Sequence, residues 1–233
     1  ATVVQPGGAL ISGSAAVRAL TDSLRTRVRE ALLALTDFEA SEGIAYIYGP
    51  LSLDPRQSAI PTVQGHHLTI LKREKNGFRI RSQVLLATPG PRALPRLPAL
   101  HPSGPLTLQA MTDRATLARY RGANALLNQV HQAWSHSDTT ALFALFSETA
   151  LVQLPGQAAG VVGLRARREL SSLLDRAGDL HLATLDYEGS GRISVLVGQY
   201  YLELDGGAAA NGYFAMVLTG DGNNWQVRAL VFT

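Results

Sequence analysis

Leu126, Leu127, Val130, Ala133 and Trp134 fall three and four positions apart, which predicts an amphipathic helix with one apolar stripe. The run Ser135-His136-Ser137-Asp138 breaks it, and Asp138 is placed to cap a short helix carrying Leu142, Phe143, Leu145 and Phe146. A strand from Ala150 to Leu154 ends at Pro155-Gly156, and a further helix begins near Leu164. Beyond it the pattern is strand-like only: Leu180 to Glu188, Ile193 to Leu204, Gly212 to Thr219 and Trp225 to Phe232. The turn from Gly220 to Asn224 closes the last pair as a hairpin.

The N-terminal part repeats this order from the strand onward. Val17, Leu20, Leu24 and Val28 mark its helix; Leu32 to Phe38, Ile44 to Leu53, Thr62 to Lys72 and Phe78 to Leu86 supply strands, with Asn76-Gly77 as a turn. Thr36 to Gly49 and Leu185 to Gly198 are identical at five of fourteen positions, and the match continues through the flanking strands and helices. Two copies of one unit are expected, the first without the opening helices, because residue 1 falls in its first strand. Helices followed by a meander give an α+β fold class, helices on one face of a curved antiparallel sheet. The expected boundaries are 1–88, a connector 89–118, and 119–233. Thr88 to Pro105 holds six of the eleven prolines and reads as semi-rigid and extended. Leu106 to Ala125 reads as helix, with two placements open: extending the opening helix of copy two, or folding back onto copy one.

Composition narrows the chemistry. Apolar residues make up 46% and charged residues 17% of 233 positions, as in a globular chain. With no cysteine, disulfides, thiolate metal sites and a cysteine nucleophile are excluded. Six histidines show no ligand spacing, so no metal or cofactor is expected. The surplus of 21 Lys and Arg over 18 Asp and Glu is small, and its densest group, Arg165, Arg167 and Arg168, reads as the solvated face of a helix. Neither nucleic acid nor a membrane is an expected partner. A cytoplasmic location is favoured, with room for a signal segment upstream of residue 1.

The turn SHSD before a short helix, the motif ALFSETALVQLPG and the G-x-x-A-x-R-x-L helix resemble the nuclear transport factor 2-like superfamily, which includes ketosteroid isomerases and SnoaL-like polyketide cyclases. ATVVQPGG followed by SGSAAVRAL is similar to the same strand and helix. The resemblance implies two cystatin-like cones, each enclosing an apolar pocket, and association through outer sheet faces as an intramolecular pseudo-dimer or a homodimer. An isomerase of this family has an aspartate base before the strand-end proline and two oxyanion donors. The base position falls on Gln5 in copy one and Leu154 in copy two. The second donor position falls on His67 and Phe214, and the tyrosine position on Val130 in copy two. The isomerase base is therefore absent.

Two functions are carried forward. In the first, the chain binds a small apolar or aromatic molecule or serves as an interaction module, with Tyr46, Tyr48 and His66 lining copy one and Val130, Trp134, Leu154 and Phe214 lining copy two. The second copy's hollow is either such a pocket or an ordinary core. In the second function, a cofactor-independent isomerase or cyclase acts on a small carbonyl compound with His67 as acid or base and Gln5 as orienter. Tyr46 and Tyr48 share one strand face, as do Gln64 and His66. Asp37 with Glu39, and Asp186 with Glu188, recur in both copies and read as structural.

Overall fold

The computed structural model describes residues 1–5, 10–57, 59, 61–87, 114–221 and 224–233, and the chain divides into two compact units. The proline-rich stretch Thr88 to Pro105 and the centre of the turn at Gly222-Asn223 lie outside the described residues, as does the strand-end Pro6-Gly7.

The first unit runs β1 (Thr2–Val4), β2 (Leu10–Ser12), α1 (Ser14–Arg27), β3 (Val28–Leu33), β4 (Asp37–Ser41), β5 (Ile44–Pro55), β6 (Val63–Glu74) and β7 (Gly77–Ala87). Its sheet has the order β2-β1-β7-β6-β5-β3, with β4 also on β5. The second unit runs α2 (Arg114–Ser135), α3 (Thr139–Ala144), β8 (Phe146–Gln153), β9 (Val161–Val162), α4 (Leu164–Leu174), β10 (Ala177–Ser190), β11 (Ile193–Leu204), β12 (Ala208–Asp221) and β13 (Asn224–Phe232). Its sheet has the order β10-β11-β12-β13-β8-β9. Read from the opposite edge, this is the order of the first sheet, so the sequence repeat is a repeat of topology. α2 begins inside the stretch 89–118 that the sequence assigns to a connector.

Each sheet is mixed rather than purely antiparallel. The meander strands pair antiparallel, but β1 runs parallel to β7 and β8 parallel to β13. The strand that leads into the helix re-enters the sheet beside the last strand through a crossover, and a crossover is what parallel neighbours require. Asp138 caps α3 as its sequence position indicates, its carboxylate accepting from the Ala141 amide at 2.9 Å. Gly77, with φ 110°, opens β7 directly after the turn at Lys75-Asn76.

The segment from Leu32 to Phe38, which reads as one strand, is broken. β3 ends at Leu33 and β4 starts at Asp37, while the Ala34 and Thr36 amides still donate to Pro50 and Tyr48 of β5 at 2.9 and 2.8 Å. β10 has its register shift at the matching place, between Thr184 and Asp186. In each unit a glycine makes the bend fit. A Cβ added at Gly49 would collide with the Ala34 carbonyl, and one at Gly198 with the Ala183 carbonyl. A bulge of this sort bends a strand and raises its twist, which gives the sheet a concave side.

On that side of the second unit, α2 lays Leu126, Leu127 and Val130 into one core with Leu196, Met216 and Trp225 of the sheet. The first unit's cluster on the equivalent side is small: Val3, Leu51 and Leu85, with Val17, Leu20 and Leu53 against it. α4 buries Ala166, Leu170 and Leu174, whereas α1 buries no residue. The convex side is buried in both units, at Val4, Tyr46 and Ile70 in the first and Leu151, Val195 and Val217 in the second. Among the described residues no helix is long and apolar enough to cross a membrane.

Gly49→Ala and Gly198→Ala are each expected to destabilise the chain by about 2 kcal/mol or more, because backbone rather than a flexible side chain meets the added methyl. Urea midpoints of the two variants test this; a change within error at both would remove the glycines' role in the bend.

Candidate functional site

Strand alternation divides the first unit's candidate residues between two faces. Gly49 pairs with His67, and His67 with Leu85, which shares a cluster with Val3 and Leu51 on the α1 side. Tyr46, Tyr48 and His66 alternate with these positions and face the convex side. There the Tyr48 and His66 rings stack at 5.4 Å, and the Tyr46 hydroxyl donates to Asp37 at 2.9 Å. Tyr46 and Tyr48 are buried, and His66 is half-buried with Nδ1 lacking a hydrogen-bond partner. The structure thus brings Tyr46, Tyr48 and His66 together but sets them across the sheet from His67.

Gln5 and His67 belong to the concave side. Val4 pairs with Val84, so Gln5 continues the strand to the level of Leu85, whose other neighbour is His67. Leu85 stands between the two polar groups, which puts their backbones two strand spacings apart, roughly 9 to 10 Å. They cannot share a hydrogen bond directly. His67 is buried, with Nε2 3.0 Å from the Ala34 carbonyl and Nδ1 3.0 Å from Thr69 Oγ1. A carbonyl only accepts, so Nε2 carries the proton and donates to Ala34; in the neutral ring Nδ1 then accepts from the Thr69 hydroxyl. Thr69 Oγ1 in turn accepts from Gln83 Nε2 at 3.0 Å. Burial pulls the His67 pKa below its ordinary value, the Ala34 carbonyl opposing and the neighbouring His66 adding to the depression. Burial lowers His66 as well. In this arrangement His67 ties the strand break at Ala34 to the centre of the sheet.

In the second unit the matching row is Leu154, one residue past β8, with Phe232 of β13 and Phe214 of β12. All three are buried in one cluster with Val130 and Trp134 of α2. Tyr200 meets the Phe232 ring edge-on at 4.8 Å, and burial pushes its hydroxyl far up. Trp134 fixes the end of α2, its indole nitrogen donating to the Gly178 carbonyl at 2.9 Å. Residues that sequence reading passed over are Tyr120, Tyr187 and Ser194. Tyr120 packs edge-on against Tyr187 at 5.2 Å, and the Tyr187 hydroxyl lies 3.0 Å from Ser194 Oγ. The available signal was the repeat itself, since Tyr187 aligns with Phe38.

That alignment exposes the largest difference between the units. Phe38, Phe78 and Ile80 are 60%, 51% and 50% exposed, whereas their counterparts Tyr187, Trp225 and Val227 are 7%, 6% and 0% exposed. Leu33, which matches the partly buried Leu182, is 52% exposed. An apolar trough therefore lines the concave side of the first unit. Among the described residues no group of three His, Asp or Glu side chains is placed to hold a metal ion.

Several solved structures are similar to about half of this chain. One is a nuclear transport factor 2-like protein of unknown function from Shewanella oneidensis, at 17% identity over 48% of this chain and 97% of that one, TM-score 0.40. Another is a ketosteroid isomerase-like protein from Erwinia carotovora atroseptica, at 16% identity over 51% and 95%, TM-score 0.40. A third is a protein of unknown function from Mycobacterium tuberculosis, at 13% identity over 50% and 76%, TM-score 0.44. Each of these likenesses covers about half of the chain and is one of fold alone. No protein-family model and no curated protein matches the chain. At these identities and scores no neighbour's activity carries over to this tandem.

Loss of the His67 ring should cost about 1 kcal/mol or more, because His67→Ala removes the partner of the half-buried Ala34 carbonyl and of the buried Thr69 hydroxyl. The depressed pKa also predicts a pH dependence. Below the unfolded value of about 6.5 the unfolded chain binds the proton that the folded one resists, so stability is full above that pH and falls as pH drops toward the folded value. Denaturation midpoints from pH 8 to pH 5 should decline for the natural chain and decline less for His67→Ala; parallel curves would contradict the assignment.

Proposed function

We propose that this chain is a non-catalytic binding module of nuclear transport factor 2-like type, whose working surface is the open concave face of the first unit. The observation that carries this reading is the exposure of Phe38, Phe78 and Ile80 at positions whose counterparts are covered in the second unit. An apolar or aromatic molecule, or an apolar segment of a partner, would gain about 25 cal/mol per Å² of surface covered there. The second unit supports the scaffold rather than a second pocket: Val130, Trp134, Leu154 and Phe214 pack with one another and with the sheet. Association through outer sheet faces, as a pseudo-dimer or a homodimer, is part of this reading.

An enzyme working through His67 and Gln5 finds less support. Catalysis would require His67 to release the Ala34 carbonyl, and the carboxylate position is filled by Gln5 in one unit and Leu154 in the other. The test is uptake of anilinonaphthalenesulfonate by the native chain. Enhanced dye fluorescence is expected, reduced by about half or more in Phe38→Asp and Ile80→Asp, whose side chains already face solvent. A native chain that leaves the dye dark would overturn the proposal.

A further inference from the structure

A charged side chain interrupts the apolar stripe of α2. Arg119 stands four positions before Ala123 and in line with Leu126, Leu127 and Val130, on the face that α2 turns to the sheet. It is half-buried, its Nε is buried without a hydrogen-bond partner, and among the described residues no carboxylate pairs with it. A guanidinium withdrawn from water keeps its charge, so the position costs stability unless an anion meets it.

Next to it in the sequence, Tyr120 packs edge-on against Tyr187 at 5.2 Å, and the Tyr187 hydroxyl lies 3.0 Å from Ser194 Oγ, with Tyr187 and Ser194 both buried. One of these hydroxyls donates to the other, which leaves the second proton for an incoming acceptor. Burial pushes the Tyr187 hydroxyl up, the Ser194 bond and the Arg119 charge oppose that shift, and the Glu188 charge adds to it, so the guanidinium is within electrostatic reach of the hydroxyl. Glu188 itself alternates with Tyr187 and lies on the other strand face. The repeat shows that the fold does not require this group. Tyr187, Gly189 and Ser194 align with Phe38, Ala40 and Ala45, and the first unit builds the same hairpin register with no hydroxyl at these positions. Gly189 belongs to the set, because a Cβ there would collide with the Tyr187 hydroxyl.

We propose that Arg119, Tyr187 and Ser194 form a site for a small organic carboxylate between α2 and the β10–β11 hairpin, the guanidinium pairing with the carboxylate and the hydroxyl pair donating to it. One cation suits a monoanion, and the planar guanidinium matches two carboxylate oxygens at once. The Tyr120 and Tyr187 rings supply an aromatic wall, which favours an aromatic acid. Ser194 is four residues along β11 from Gly198, roughly 13 Å, so the site is distinct from the packed row at Leu154, Phe232 and Phe214. It lies wholly in the second unit and does not depend on the open face of the first.

The probe is benzoate, titrated into the full chain by calorimetry, with benzamide and inorganic phosphate as controls. Benzoate is expected to bind with a Kd on the order of 1 mM, and benzamide and phosphate about tenfold more weakly or worse. Arg119→Gln should weaken benzoate by about tenfold or more and Tyr187→Phe by about fivefold, with unchanged circular dichroism spectra. Tyr187→Phe installs the residue that the first unit carries at Phe38, so it keeps the test intact should Arg119→Gln fail to fold. The urea midpoint of ligand-free Arg119→Gln should hold or rise, because the substitution removes a charge that nothing in the fold offsets. A fall in that midpoint would make Arg119 a structural cation and overturn the proposal, and the same fall in Asp113→Asn, the one acidic position between 88 and 113, would identify its partner. Benzamide or phosphate binding as tightly as benzoate would overturn the carboxylate assignment. Benzoate that does not bind, or binds equally to both variants and the natural chain, would overturn the site.

Discussion

A backbone carbonyl pressed against a glycine sets the shape of both units. Where Ala34 meets Gly49, and Ala183 meets Gly198, the edge of the sheet gives up regular pairing for a bend. No side chain fits in the gap, so the last glycine of the fourteen-residue repeat is kept in both copies while most of its neighbours differ. The bend gives the sheet a concave side, and an apolar concave side must either be covered or stay available. The second unit covers it with α2, and the first leaves it open.

The same bend accounts for the polar row in the first unit. A strand break leaves carbonyls pointing inward, and a buried carbonyl without a partner costs more than a hydrogen bond contributes. His67 satisfies Ala34 from across Gly49, and Thr69 and Gln83 complete the chain of donors and acceptors. At the matching position of the second unit the Phe214 ring lies over Gly198, and the polar network gives way to aromatic packing with Phe232 and Tyr200. One backbone frame thus accepts either a hydrogen-bonded histidine or a phenylalanine. That interchange suits a structural position better than a catalytic one, because a working acid or base cannot be swapped for a phenyl ring without loss of the reaction.

Much of this architecture was legible in the sequence. The stripe from Leu126 to Trp134, the cap at Asp138, the helices near Val17 and Leu164 and nearly every meander strand follow from spacing and turn residues, and the repeat fixed which elements correspond. The break at Ala34 was not legible, because Leu32 to Phe38 is apolar and strand-like throughout and the interruption comes from a contact with Gly49. Period-two alternation put Tyr46 with Tyr48 and His66 opposite His67, while the stacking of Tyr48 on His66 came only with the cross-strand register. It could not say which of those faces was concave, since both sides of the sheet carry buried apolar residues and the polarity contrast that normally marks the inner face is absent.

The difference between the copies also bears on why an exposed apolar face need not unfold the first unit. Leu33, Phe38, Phe78 and Ile80 lie on strands whose other face is buried, with Tyr46, Ile70 and Val84 under them. A sheet held by continuous pairing along β5, β6 and β7 can tolerate an open inner face that a lone helix could not. Closing that face would bury side chains worth about 1.5 to 3 kcal/mol each when fully covered, while the strands beneath are already ordered. The entropy of ordering would then fall on the covering segment alone.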